Sequence, residues 1–125
     1  MPTGGLMPQI TVDYSERLVG DFDRPAFARA LHEAVVEIAA AKPPACKTQF
    51  RRTEDTVVGP DTEGHAVVHV TLGLLAGRTD ATKVRLTEAV LELLRQYAKP
   101  GDGLALHASA EVRDLDPSYR KFETE

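Results

Sequence analysis

The sequence predicts an α/β domain of two strand–helix–strand units that share one four-stranded mixed sheet, with both helices on one face. Three observations predict it. Stretches with apolar residues at every second position alternate with stretches whose apolar residues recur at helical spacing. The order strand, helix, strand occurs twice. The two helix caps, Asp23 and Thr79, lie 56 residues apart, as do the two helix stops, Pro44 and Pro100. Two such units fill one sheet when their helices share a face. Within each unit the strands run parallel, through a right-handed crossover.

The first strand is expected over residues 9–14, where Ile10, Val12 and Tyr14 alternate with Thr11 and Asp13. Pro8 heads it, and a first-position proline removes no ladder hydrogen bond. Residues 15–22 are a connection, with Gly20 as a turn residue. Asp23 suits the N-cap of the first helix and Pro25 its first turn. Phe27, Leu31, Ala34, Val35 and Ile38 make its apolar face, and Pro43-Pro44 is the expected stop. The second strand is expected within residues 46–58. Its alternation is weak and Arg51, Arg52, Glu54 and Asp55 make it partly exposed. It should end in a hairpin, because Gly59-Pro60-Asp61-Thr62-Glu63-Gly64 is the strongest turn signal in the chain.

The third strand, residues 65–75, places Val68, Val70, Leu72 and Leu74 on one face and Val67, His69, Thr71 and Gly73 on the other. Thr79 caps the second helix and Asp80 suits its positive end. Leu86, Val90, Leu93, Leu94 and Tyr97 form its stripe, and Pro100-Gly101-Asp102-Gly103 ends it. The fourth strand, residues 104–113, turns Leu104, Leu106, Ala108, Ala110 and Val112 to one face. A polar tail with Pro117 and room for one helical turn follows. Residues 1–7 have no periodicity and two adjacent glycines, and are expected to be a flexible N-terminal extension. Residues 8–125 then form a single domain, as the length of 125 residues suggests.

Composition narrows function. Apolar residues make up 42% and charged residues 27%, the balance of an ordinary globule, with a net charge of −4 and signs mixed along the chain. No basic stripe points to nucleic acid, and the few aromatics and missing tryptophan argue against a platform for stacked bases. No apolar run is long enough to span a bilayer, and the N-terminus lacks the pattern of a signal peptide, so a cytoplasmic protein without a membrane partner is expected. Cys46 is the only cysteine, which excludes an internal disulfide and a Cys-based zinc site. Beside Lys47 it is either an activated thiol or a buried, inert one.

The repeat also predicts where chemistry gathers. If the third strand runs antiparallel to the first, the starts of strands one and two and the end of strand three share a rim. Pro8, Lys47 and Arg78 converge there, with the N-terminus of the second helix, whose free N–H groups favour an anion. Within a chain, proline has an amide nitrogen without basicity. As the first residue it carries a secondary amine, which is a usable base. Removal of residues 1–7 therefore separates an ordinary strand start from a catalytic group.

On these residues the chain resembles a known family. Met7-Pro8-Gln9-Ile10-Thr11-Val12 is similar to the N-terminus of the tautomerase superfamily. Val68-His69-Val70-Thr71-Leu72, Ala76-Gly77-Arg78-Thr79, and Leu104-Ala105-Leu106 leading into residues 111–116 resemble one member, the 5-carboxymethyl-2-hydroxymuconate isomerases. The resemblance implies a tautomerase-like domain and a homotrimer. It implies isomerisation of a small anionic unsaturated carboxylate, 5-carboxymethyl-2-hydroxymuconate or another 2-hydroxy- or 2-oxo-dienoic acid, in aromatic catabolism. It implies that Pro8 is the proton-transferring base and that Arg78 binds a substrate carboxylate. Lys47 falls where the family has a second arginine, which keeps the charge but loses the planar fork. Arg51 and Arg52 lie close by as substitutes. A trimeric binding protein of the same fold is the non-catalytic alternative.

The proposed chemistry is consistent with elementary acid–base behaviour. Proton transfer next to a carbonyl needs a base with a pKa near the working pH. A free α-amine starts at about 7.7–8.0, and burial beside a cation lowers it. No metal or organic cofactor is required. Against each role stands a plainer one. Arg78 would otherwise be a solvated residue ahead of a helix cap; as a substrate-binding residue, its replacement by alanine is expected to cause a large loss of turnover with little change in fold. His69 is expected to pack or hydrogen-bond at a subunit contact. His32, His65 and His107 share no metal-ligand spacing, and Glu111, Asp114 and Asp116 are expected to be solvated. Pro2 would also become terminal on loss of Met1, but it lies six residues before the strand.

Overall fold

The computed structural model describes residues 8–124. The expected extension, residues 1–7, lies outside the described residues. Six regular elements follow in the expected order: β1 (Gln9–Ser15), α1 (Arg24–Ala39), β2 (Lys47–Thr53), β3 (His65–Leu74), α2 (Asp80–Tyr97) and β4 (Ala105–Asp114). They make one mixed sheet of order β2-β1-β3-β4. β1 is parallel to β2 and antiparallel to β3, and β3 is parallel to β4.

The alternation read from the sequence decides which side of the sheet is covered. Ile10, Val12 and Tyr14 of β1 and Ala66, Val68, Val70, Leu72 and Leu74 of β3 are all buried. They meet Phe27, Leu31 and Val35 of α1 and Leu86, Val90 and Leu94 of α2 in one core. Both helices therefore cover one face, as expected. Phe22, ahead of α1, lies edge-on to Phe27 and Tyr14, with ring centroids at 5.4 and 5.7 Å. The opposite face is polar. It carries an Asp13–Arg51 pair between β1 and β2 and a His69–Glu111 pair between β3 and β4.

Three expectations need correction. β2 and β3 do not form a hairpin, because β1 lies between them. The 54–64 connection must pass the end of β1, and the turn signal is spent locally, where Val58 and Asp61 bridge each other. Propensity marks a turn, but it does not decide which strands pair. α1 also stops before the prolines. Ala40, with φ 58° in the left-handed region, ends it, and Pro43–Ala45 makes a separate short turn. Lys42 is extended, as a residue before proline must be, so the helix has to end upstream of it. The apolar face of β4 is only half covered, and Ala108 is exposed, because β4 is an edge strand.

Candidate active site

The sheet order settles the rim geometry. Gln9, the first residue of β1, pairs with Lys47 on one side and Gly73 on the other. Pro8 immediately precedes it and is buried. The Lys47 backbone N–H donates to the Pro8 carbonyl at 3.4 Å. β1 and β2 start at this rim, and β3 and β4 end there. α1 runs back against its strands, so its C-terminus is at the same rim, and α2 begins there directly after β3. Pro8, Lys47 and Arg78 are thus brought to one edge of the sheet, as the repeat predicted. The N-terminus of α2 is capped by the Thr79 hydroxyl, which accepts from the Thr82 N–H at 3.1 Å.

Arg78 does more than stand at a strand end. Its Nη1 donates to the Leu75 carbonyl at 3.2 Å and its Nη2 to the Ala39 carbonyl at 3.0 Å. The last carbonyls of a helix lack intrahelical partners, and the helix dipole is negative there. Where many helices end in a glycine motif, α1 ends in a left-handed alanine, with a cation from the other half of the chain on its last carbonyl. These contacts argue against the expectation that Arg78→Ala changes the fold little. The contact joins residues 39 apart, and no local pattern announces it.

Lys47 is also engaged. Its ammonium lies 3.0 Å from the Glu123 carboxylate and 3.4 Å from the Ala45 carbonyl. The pair is open to solvent, with the two side chains 39% and 52% exposed. Lys47, with Lys121 beside it, holds the Glu123 carboxyl below its ordinary range. Four further side chains at this rim were not singled out from the sequence: Gln9, Lys83, Tyr119 and Glu123. Lys83, in the first turn of α2, pairs with Asp114 at 3.0 Å. The Gln9 amide donates to the Tyr119 hydroxyl at 3.2 Å. The position of Lys83 four residues after its helix cap was a readable signal. The last residues of a polar tail carried none.

The remaining candidates fall away from the rim or into structural roles. Cys46 is buried, and burial pushes its thiol pKa up despite the neighbouring Lys47. The inert reading fits this placement. His69 bonds within its own chain, to Ser109 at 2.7 Å and Glu111 at 2.9 Å. Glu111 is therefore not simply solvated: hydrogen bonds from His69 and then Arg113 hold its carboxyl below the usual range. His32 meets Thr48, and burial lowers its pKa. His65 and His107 bond each other at 2.9 Å near the opposite rim. Among the described residues no three His, Cys, Asp or Glu side chains are grouped to hold a metal ion. No helix among them is long and apolar enough to cross a membrane.

Against known proteins, the family model described as 5-carboxymethyl-2-hydroxymuconate isomerase matches residues 8–123. No curated protein matches the sequence. Among solved structures, a 5-carboxymethyl-2-hydroxymuconate isomerase from Deinococcus radiodurans R1 is similar with a TM-score of 0.76 and 20% identity, over 95% of this chain and 92% of that one. A 5-carboxymethyl-2-hydroxymuconate delta-isomerase is similar at 0.64 and 17%, over 96% and 91%. A fused 4-OT symmetric trimer is similar at 0.67 and 22%, over 86% and 85%. At such identities the structural likenesses establish the tautomerase fold, and the family rests on the sequence match.

Proposed function

The chain belongs to the 5-carboxymethyl-2-hydroxymuconate isomerase family, and from that membership we propose that it is a cofactor-independent delta-isomerase whose base is Pro8 as an N-terminal residue. Its substrate is 5-carboxymethyl-2-hydroxymuconate or a closely related 2-hydroxy- or 2-oxo-dienoic acid, in the breakdown of homoprotocatechuate-type aromatics. Residues 8–125 act as one domain, and three copies assemble. The observation that supports this most directly is the placement of Pro8: buried, at the start of a central strand, on the rim that also holds Lys47, Arg78 and the N-terminus of α2.

In the reaction, the neutral secondary amine of Pro8 takes a proton from the 2-hydroxyl of a dienol substrate, or from the carbon next to the carbonyl of a 2-oxo acid. The electron pair of the broken O–H or C–H bond becomes part of a dienolate, and the same nitrogen returns the proton to a distal carbon of the conjugated system, leaving the 2-oxo acid with its double bond moved. Burial and nearby cations keep the amine neutral and ready to accept. Arg78 has a planar guanidinium suited to a carboxylate or a developing enolate oxygen. Lys47 offers a second, less directional positive charge. The free edges of β2 and β4 and the half-covered apolar side of β4 are surfaces that a closed three-fold assembly would pair and bury. Such an assembly also lets a neighbouring copy wall the rim.

While Met7 remains joined to Pro8 the nitrogen is an amide and has no such chemistry, and the chain is then a binding protein of the same fold. Two purified forms separate these states, one beginning at Pro8 and one retaining residues 1–7. Loss of the dienol absorbance of 2-hydroxymuconate is followed for both, with intact mass confirming each terminus. Turnover is expected only in the form that begins at Pro8. Equal rates in the two forms would remove Pro8 from the mechanism.

A further inference from the structure

We propose that the segment following β4 is a strap across the candidate site, in which the Glu123 carboxylate is an internal competitor for Lys47 that a substrate's second carboxylate must displace. The proposal rests on the reading of Lys47 as a substrate-binding cation. It concerns what sets the affinity of that cation and for which acids.

The path of the chain is the main argument. Beyond Asp114 the backbone does not leave the sheet. The Leu115 N–H donates to the Leu74 carbonyl at 2.7 Å, and the Leu115 side chain lies against Gly73 of β3. A Cβ at residue 73 would meet Leu115 Cδ2 at 2.9 Å and the Gln9 carbonyl oxygen at 3.3 Å. Asp116 then turns the chain, accepting from the Ser118 N–H at 2.8 Å through its carboxylate and from the Tyr119 N–H at 2.9 Å through its carbonyl. Tyr119 receives the hydrogen bond of Gln9 on β1, and Glu123 reaches Lys47 on β2. Gly73, Gln9 and Lys47 occupy one row across three adjacent strands. Leu115, Tyr119 and Glu123 contact that row in order, so the segment crosses the rim strand by strand.

The strength of the contacts suits a displaceable strap. Its far end is held by one exposed ion pair, shared with Lys121, and such pairs are weak because water and salt screen them. Phe122, next to the pair, is 85% exposed and adds no buried anchor. A monocarboxylate held elsewhere on the rim leaves the Glu123–Lys47 pair in place. A dicarboxylate long enough to reach Lys47 must exchange one carboxylate for another there. Its observed affinity therefore carries the cost of opening that contact.

The test compares the full chain with Glu123→Gln, a change at an exposed side chain. Amide shifts of Gln9 and Lys47 are followed by NMR during titration with cis,cis-muconate, a dicarboxylate, and with sorbate, a monocarboxylate of the same length. Muconate is expected to bind Glu123→Gln about two- to five-fold more tightly, the range typical of an exposed pair, with sorbate unchanged. Equal muconate affinity in both proteins, with Lys47 responding in both, would overturn the strap and leave the site reading intact. Tightening of both acids to the same extent would also overturn it, because the gain would then be unrelated to Lys47. No response of Lys47 to muconate in either protein would overturn the site reading and the strap with it.

Discussion

Replacing Arg78 with alanine should weaken the fold itself, separately from any effect on turnover. The side chain donates to the Ala39 and Leu75 carbonyls at 3.0 and 3.2 Å. Hydrogen bonds of this kind contribute about 1 kcal/mol each once exchange with water is counted. The higher values seen for charged donors are discounted here, because the side chain is only partly buried. The loss is therefore about 2 kcal/mol, out of the roughly 5–15 kcal/mol that holds a domain of this size together. With a urea slope of about 1–3 kcal/mol per molar, the unfolding midpoint should fall by about 1 M. Far-UV circular dichroism reads this directly. Arg78→Lys, with one ammonium unable to span both carbonyls, should fall between the two. If the alanine variant unfolds within about 0.2 M of the parent, the link between the end of α1 and the start of α2 contributes nothing, and the reasoning above is wrong. Kinetic comparisons at Arg78 need conditions in which both proteins are fully folded.

Two further predictions concern the frame around the site. Phe27 is fully buried and edge-on to Phe22, so Phe27→Ala should cost about 3–5 kcal/mol and lower the melting temperature by about 10 °C or more; a drop of only a degree or two would mean that the core there collapses without penalty. Glu111 has its carboxyl pKa depressed first by His69 and then by Arg113, so its contribution to stability is complete above the ordinary carboxylate range and is lost as pH falls through the lower folded value. The gap in urea midpoint between the parent and Glu111→Gln should therefore be present at neutral pH and close as the acid range is entered; a gap that persists unchanged at pH 3 would show that charge is not its origin.

Much of the fold was legible because its signals are local. Alternation in β1 and β3, the Asp23 and Thr79 caps and the spacing of the two halves each depend on residues a few positions apart. The convergence of Pro8, Lys47 and Arg78 was also readable, since it follows once β1 is set antiparallel to β3. What escaped was decided by contacts distant in sequence. The turn signal at 59–64 is real, but β1 lies between β2 and β3 and pairs with both. The end of α1 is fixed where Arg78 takes the Ala39 carbonyl, not where the prolines stand. The tail read only as polar because Glu123 meets Lys47 across 76 positions of chain, a distance over which periodicity carries no information.

The central position of β1 also bears on timing. This strand is synthesised first, but the strands on either side of it come later: Gln9 waits for Lys47 and then for Gly73. Until β3 has been made, the bond ahead of Pro8 belongs to an unpaired stretch of nascent polypeptide that an aminopeptidase can grip. Afterwards Pro8 is buried at the rim where the central strand begins. For the proposed base to exist, the Pro8 nitrogen has to be freed during synthesis or by starting translation at Met7.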